Sequence, residues 1–228
     1  VPAVKIDLKK LDELIARKGV NLLLYKVVAC PCRDDNGYVD PTCAACLGTG
    51  FAPGQPTGIR ALLLAHDASK QPLPTGVHET GLRSLTPPRH VRLSEGDWIR
   101  MAQFRVRTSE VITPGAAFNG RLDTLFPDAI LGVSRLVDGV LTPVPPAAYT
   151  DPATGAQVRP DGALAWQPGA LPPDTRVTVE FDYYEAYQVW RGAMPMQRGA
   201  EDKRLPDKAI LRRITRKVLR QQLAGGVP

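Results

Sequence analysis

The chain has 228 residues, 43% of them apolar and 23% charged, enough to bury one good core, or one core with a small appendage. Gly and Pro together make up 42 of the 228 residues, about 18% against roughly 12% in average usage, which implies many turns and few long helices. The net charge of +6 is unevenly placed: Lys203, Arg204, Lys208, Arg212, Arg213, Arg216, Lys217 and Arg220 face one acid, Asp207, so 203–220 is +7 and the other 210 residues sum to −1. The composition excludes a disordered chain and a disulfide-dense scaffold. No apolar run approaches the ~18 residues of a membrane span, and the N-terminus lacks the long apolar stretch of a secretory signal, so a soluble protein is expected.

The first 29 residues read as a helix followed by a strand. Asp7 can cap the helix, Leu8, Leu11, Leu14 and Ile15 form its apolar stripe, and Gly19 ends it. Residues 20–28 (ValAsnLeuLeuLeuTyrLysValVal) read as a largely buried strand. A compact cysteine module fills 30–50, and 51–56 (PheAlaProGlyGlnPro) read as a linker. The pattern over 57–190 is β. Residues 100–113 alternate around Phe104, Val106 and Val111, and in 175–183 Val177, Val179, Phe181 and Tyr183 face one way while Arg176, Thr178, Glu180 and Asp182 face the other. Pro- and Gly-rich punctuation at 72–76, 86–88, 143–146, 151–155 and 168–173 separates short strands. The expected fold is therefore α+β, mainly β: an antiparallel sandwich or barrel with a small helix in front. Residues 191–206 read as an exposed connection. From Ala209 to about Leu223 a last helix is expected, with Ile210, Leu211, Ile214 and Val218 on one arc and Arg212, Arg213, Arg216, Lys217 and Arg220 opposite.

All four cysteines, Cys30, Cys32, Cys43 and Cys46, lie within 17 residues in a C-x-C-x10-C-x2-C pattern. Zinc takes four ligands at tetrahedral corners, about 2.3 Å from sulfur, and closely spaced pairs on tight turns supply two corners each. Pro31, Asn36-Gly37 and Gly48 provide turns, and N–H groups freed near Gly48 and Gly50 can point at the thiolates. Four thiolates leave no open position, so such a zinc site is structural. Two disulfides or four buried thiols are the alternatives; pairing within C-x-C is sterically poor, and nothing in the sequence argues for an oxidising compartment. CysAlaAlaCysLeuGlyThrGly also matches the CxxCxGxG unit of the zinc centres in J-domain co-chaperones, although the HisProAsp tripeptide of a J-domain is absent.

The basic segment has three readings: a solvated or acid-docked face, a phosphate-backbone contact through Lys208, Arg212, Arg213, Arg216, Lys217 and Arg220, or an interfacial membrane helix. The last is disfavoured by the lack of Trp or Phe on its apolar side. His66, His78 and His90 are far apart and none sits in HExxH. No Walker A loop, GxSxG elbow or GxGxxG unit is present, and Asp34-Asp35 fall in a turn, so no enzyme is expected.

The order of small helix, strand, CysProCysArg, AspProThrCysAlaAlaCysLeuGlyThrGly, β region and terminal helix resembles structural proteins of tailed bacteriophages found at the neck, where head meets tail. The resemblance rests on 25–50 and, more loosely, on ThrArgValThrValGluPheAspTyrTyrGluAlaTyrGlnVal at 175–189. It implies a ring-forming virion protein, a connector, collar or completion factor, without catalytic residues. Its implied partners are further copies of itself, portal and tail components, and packaged DNA by non-specific phosphate contact. It would reside in the virion neck, and in the host cytoplasm before assembly. The competing reading is a zinc-containing, non-specific nucleic-acid-binding protein that works outside any particle.

Overall fold

Asp7 does cap the N-terminal helix: its carboxylate accepts the N–H groups of Lys9 and Lys10 at 3.1 and 3.2 Å, opening α1 (Leu8–Lys18). The Gly19 N–H closes the other end on the Ile15 carbonyl, and a Cβ on Gly19 would collide with that same oxygen. The computed structural model describes residues 7–36, 38–40, 43, 45–46, 50–65, 82–114, 120–159, 162–172, 175–194, 208–216 and 218–219. After α1 come β1 (Val20–Ala29), β2 (Phe51–Ala65), β3 (Arg83–Thr86), β4 (Trp98–Ile112), β5 (Pro127–Val137), β6 (Val140–Pro143), a 3-10 turn (Pro146–Tyr149), β7 (Val177–Met194) and β8 (Lys208–Arg213). They form one eight-stranded sheet in the order β4-β1-β2-β3-β8-β7-β5-β6. Because β4 also pairs with β7, six of these strands form a closed ring of pairings.

Two units share these strands. The first comprises Val1–Val28, Pro53–Gln103 and Ala186–Arg213. Its antiparallel registers set inward residues opposite one another: Leu22 against Met101, Leu24 against Ile99, Leu85 against Ala209, Val189 against Leu211. All of these are buried and belong to one apolar cluster with Ala61, Leu93 and Tyr187. A buried carboxylate sits at its rim. Asp97 accepts the Lys26 ammonium at 2.6 Å, the Ser94 N–H at 2.7 Å and the Val27 N–H at 3.3 Å. Its own backbone carbonyl accepts the Val189 N–H, so one residue ties β1, β7 and the turn before β4 together.

The second unit comprises Ala29–Ala52, Phe104–Glu185 and Ile214–Pro228. Val177, Val179, Phe181 and Tyr183 all point inward, as their alternation requires, into a cluster with Ile112, Leu122, Val133, Val144 and Tyr149. The β5–β6 hairpin turns on Asp138 (φ 50°) and Gly139 (φ 81°), the positive-φ pair of a tight Asp-Gly hairpin. It pairs Leu136 with Leu141 and Val137 with Val140, and all four of these side chains are exposed.

Two expectations are corrected. Residues 51–56 are the first part of β2 and not a linker. Pro53 and Pro56 are tolerated there because β2 pairs with β3 only over Leu62 to Ala65, so the strand needs no second row of donors at its start. Likewise 208–213 are a strand inserted between β3 and β7, not the first turns of a helix. Ala209 and Leu211 are fully buried while Ile210 and Arg212 are only half-buried, a period of two that fits the slot between neighbouring strands; here tertiary pairing overrides a helical pattern. Helical backbone follows only at Arg216, Val218 and Leu219 among the described residues. The expected connection over 195–206 and the tail beyond Leu219 lie outside the described residues, whereas 191–194 belong to β7.

Candidate metal centre

The chain leaves β1 and re-enters β2 through a small loop that the two cysteine pairs bracket. Its neck is the Cys30 N–H donating to the Gly50 carbonyl at 2.8 Å. Cys30, Pro31, Cys32 and Arg33 make a tight turn, with the Arg33 N–H on the Cys30 carbonyl and proline at the second position, where its fixed φ suits the turn. Arg33 then bridges Val39, and the Asp34 carboxylate accepts the N–H groups of Asn36 and Tyr38 at 3.0 and 2.7 Å. Asp34 is therefore a turn-former, as its sequence context suggests. Gly50 adopts φ +74°, and a Cβ there would lie 2.7 Å from the Val39 side chain, so the loop closes only around glycine.

This backbone brings the four sulfurs together, all within 4.8 Å of one another. Cys32 and Cys46 are 3.4 Å apart and Cys30 and Cys43 are 3.8 Å apart. These are well beyond a disulfide bond of about 2.05 Å. A tetrahedron with spokes of about 2.3 Å has edges of about 3.8 Å, so these two spacings are close to the edges a zinc-sized cation requires. Cys30 and Cys46 are buried, and Cys32 and Cys43 are half-buried.

Backbone N–H groups surround the cluster. Those of Cys46 and Ala45 aim at the Cys43 sulfur and hold its thiol down at about 7. Burial, then the neighbouring sulfurs of Cys46, Cys30 and Cys43, pushes Cys32 up to about 12 against the pull of the Asp40 N–H. Cys30 receives the Cys32 N–H, yet burial and the sulfurs of Cys46 and Cys43 leave its thiol above the ordinary range. A sulfur cluster that resists carrying several negative charges alone, yet is ringed by N–H donors, is suited to a divalent cation. The four cysteines thus form a plausible metal site, and the donors come from Cys32, Asp40, Ala45 and Cys46. Gly48, expected to free one, is outside the described residues.

Among the described residues, the basic side chains do not share one exposed face. Lys208, Arg212 and Arg213 lie on β8, where Arg212 is half-buried and Arg213 exposed. Arg216 is buried in the second unit: its N–H donates to the Asp123 carbonyl at 2.6 Å and its guanidinium Nε to the Thr124 carbonyl at 3.2 Å. Lys217 and Arg220 are outside the described residues, as are His66 and His78; His90 is exposed. No protein-family model matches this chain, and no curated protein is significantly similar to it.

Sequence reasoning missed two features. One is the Asp97 junction, whose signal was a lone acid after SerGluGly and before an apolar strand. The other is the exposed β5–β6 tip, spelled ArgLeuValAspGlyValLeuThr. Its Asp-Gly turn flanked by apolar residues is a strong hairpin signal.

Proposed function

We propose that this protein is a structural subunit of an oligomeric ring at the neck of a tailed bacteriophage, joining the head to the tail, with one structural zinc held by Cys30, Cys32, Cys43 and Cys46. The carrying observation is the four-sulfur cluster at the β1–β2 tip, on the residues that bear the resemblance to neck proteins. A metal-clamped tip is rigid without a core of its own, which suits a small protein that must lock between larger neighbours. The distribution of exposed apolar side chains also supports an assembly role. Among the described residues, nine of the twelve large ones belong to the second unit, including Tyr38, Phe51, Phe104 and the β5–β6 tip. The four side chains paired at the β5–β6 tip are adjacent, and a contiguous exposed apolar group of this kind suits a face that partners cover.

The competing nucleic-acid reading is weakened at Arg216, which is buried with its guanidinium Nε on the Thr124 carbonyl, and by the strand that splits the other cations. Cross-linking mass spectrometry on purified particles tests the proposal. Cross-links from this chain to itself and to both head and tail proteins are expected. Steeply salt-dependent DNA binding by an isolated monomer, with no particle cross-links, would replace it with the nucleic-acid reading.

A further inference from the structure

We infer that the four-cysteine cluster is also a site of oxidative modification: a peroxide converts it into two crossing disulfides, Cys32–Cys46 and Cys30–Cys43, that keep the loop closed after the metal has gone. The sulfur spacing sets the pairing. The contacts of 3.4 Å for Cys32–Cys46 and 3.8 Å for Cys30–Cys43 each join one cysteine of the C-x-C pair to one of the C-x2-C pair. Closing either to a bond of about 2.05 Å moves the sulfurs by less than 2 Å. Pairing Cys30 with Cys32 would instead force a disulfide across a single residue, through a turn already fixed by Pro31 and the Arg33 N–H. Both crossing bonds span the loop, so zinc and disulfides restrain the same residues.

The chemistry balances with peroxide as the oxidant. One sulfur attacks peroxide: an S–O bond forms, the O–O bond breaks and hydroxide leaves, giving a sulfenic acid. The facing sulfur then attacks it, forming S–S and breaking S–O, with the oxygen leaving as water. Two such rounds take up four protons and two peroxides for the four thiolates, yield two disulfides and four waters, and release the one cation they held. The reduced, metal-filled form follows the reading above, while the crossing pairs need only the sulfur positions.

Tryptic mapping of the full chain reads the outcome directly. Trypsin cuts after Lys26, Arg33 and Arg60, so one peptide, 27–33, carries Cys30 and Cys32 and the next, 34–60, carries Cys43 and Cys46. After hydrogen peroxide treatment and denaturing digestion without reductant, the two peptides are expected as one species bearing two disulfides. A chromogenic chelator should register one zinc per two disulfides in the zinc-loaded protein. Separate peptides with internal bonds, chains linked to each other, or sulfinic and sulfonic acids would overturn the inference. The pairing is checked with double variants. Cys30→Ser with Cys43→Ser, and Cys32→Ser with Cys46→Ser, should each close their remaining pair at least tenfold faster than Cys30→Ser with Cys46→Ser. Equal rates would overturn the crossing assignment, and this arm stays readable in protein that holds no zinc.

Discussion

Chelating the metal from the zinc-loaded protein should unfold the cysteine loop and leave the first unit standing. Among the described residues of 30–50, only Cys30, Cys46 and Gly50 are buried, and Tyr38 is 77% exposed; these residues supply no core beyond the ligands themselves. Structural zinc contributes on the order of 10–16 kcal/mol in zinc-finger peptides near pH 7, whereas the loop's remaining restraints are a few backbone hydrogen bonds worth about 1 kcal/mol each. The first unit has an independent cluster built on Leu22, Leu24, Leu85, Ile99, Val189 and Leu211, none of which touches the ligands in sequence. Amide hydrogen exchange separates the two. On chelation the Cys30, Asp34 and Tyr38 amides, bonded to the Gly50 carbonyl, the Tyr38 carbonyl and the Asp34 carboxylate, should lose about 1,000-fold in protection, equivalent to about 4 kcal/mol. The amides of Leu24 and Val189 should change by less than about threefold. Loop amides that keep their protection without metal would refute the argument, because the loop would then be held by something other than its sulfurs.

Other expectations are independent of the metal. Asp97→Ala removes the buried carboxylate that accepts the Ser94 and Val27 N–H groups and the half-exposed Lys26 ammonium, which keeps the Arg92 carbonyl, and should cost about 2–4 kcal/mol in urea unfolding of the first unit. Arg107→Ala removes only an exposed ion pair with Asp182 and should cost under about 1 kcal/mol. Gly162→Ala combines a φ of +83° with a Cβ 2.6 Å from the buried Arg216 Nε; a loss of about 2–4 kcal/mol is expected by thermal denaturation. Burial raises the Tyr149 phenol above its ordinary value, so its contribution is complete below about pH 10 and disappears as pH climbs through the raised folded value. Tyr149→Phe should abolish that alkaline loss in a pH series of melting curves. Leu136→Ser with Leu141→Ser, at an exposed tip, should leave the melting midpoint within about 2 °C while the chain's recovery in particles falls at least tenfold; unchanged recovery would remove the tip from the assembly surface.

Local signals made the N-terminal helix and the first strand legible. Asp7, the Leu8 to Ile15 stripe and Gly19 dictate α1 by capping and periodicity, and the largely apolar run of 20–28, broken only by Asn21 and Lys26, dictates β1. The inward set of β7 was equally plain, because Val177, Val179, Phe181 and Tyr183 alternate without a break. The cysteine spacing announced the cluster, since four sulfurs on two tight turns have few places to go. What the sequence hid depends on long-range pairing. Ile210, Leu211, Ile214 and Val218 satisfy a helical wheel, yet Ala209 and Leu211 fill the slot between β3 and β7, and a six-residue apolar-basic run carries both periods at once. Pro53 and Pro56 look like punctuation until the missing β3 partner beside them is known. Arg216 reads as a surface cation because nothing in its neighbours' identity reveals the carbonyls of Asp123 and Thr124, some ninety positions earlier in the chain.

Sedimentation of a native source lysate, with this chain and its zinc quantified in every fraction, tests the proposed role most directly. The account predicts co-migration with a megadalton particle at one fixed, low copy number and one zinc per copy. Recovery of the chain solely as a small free species would contradict it.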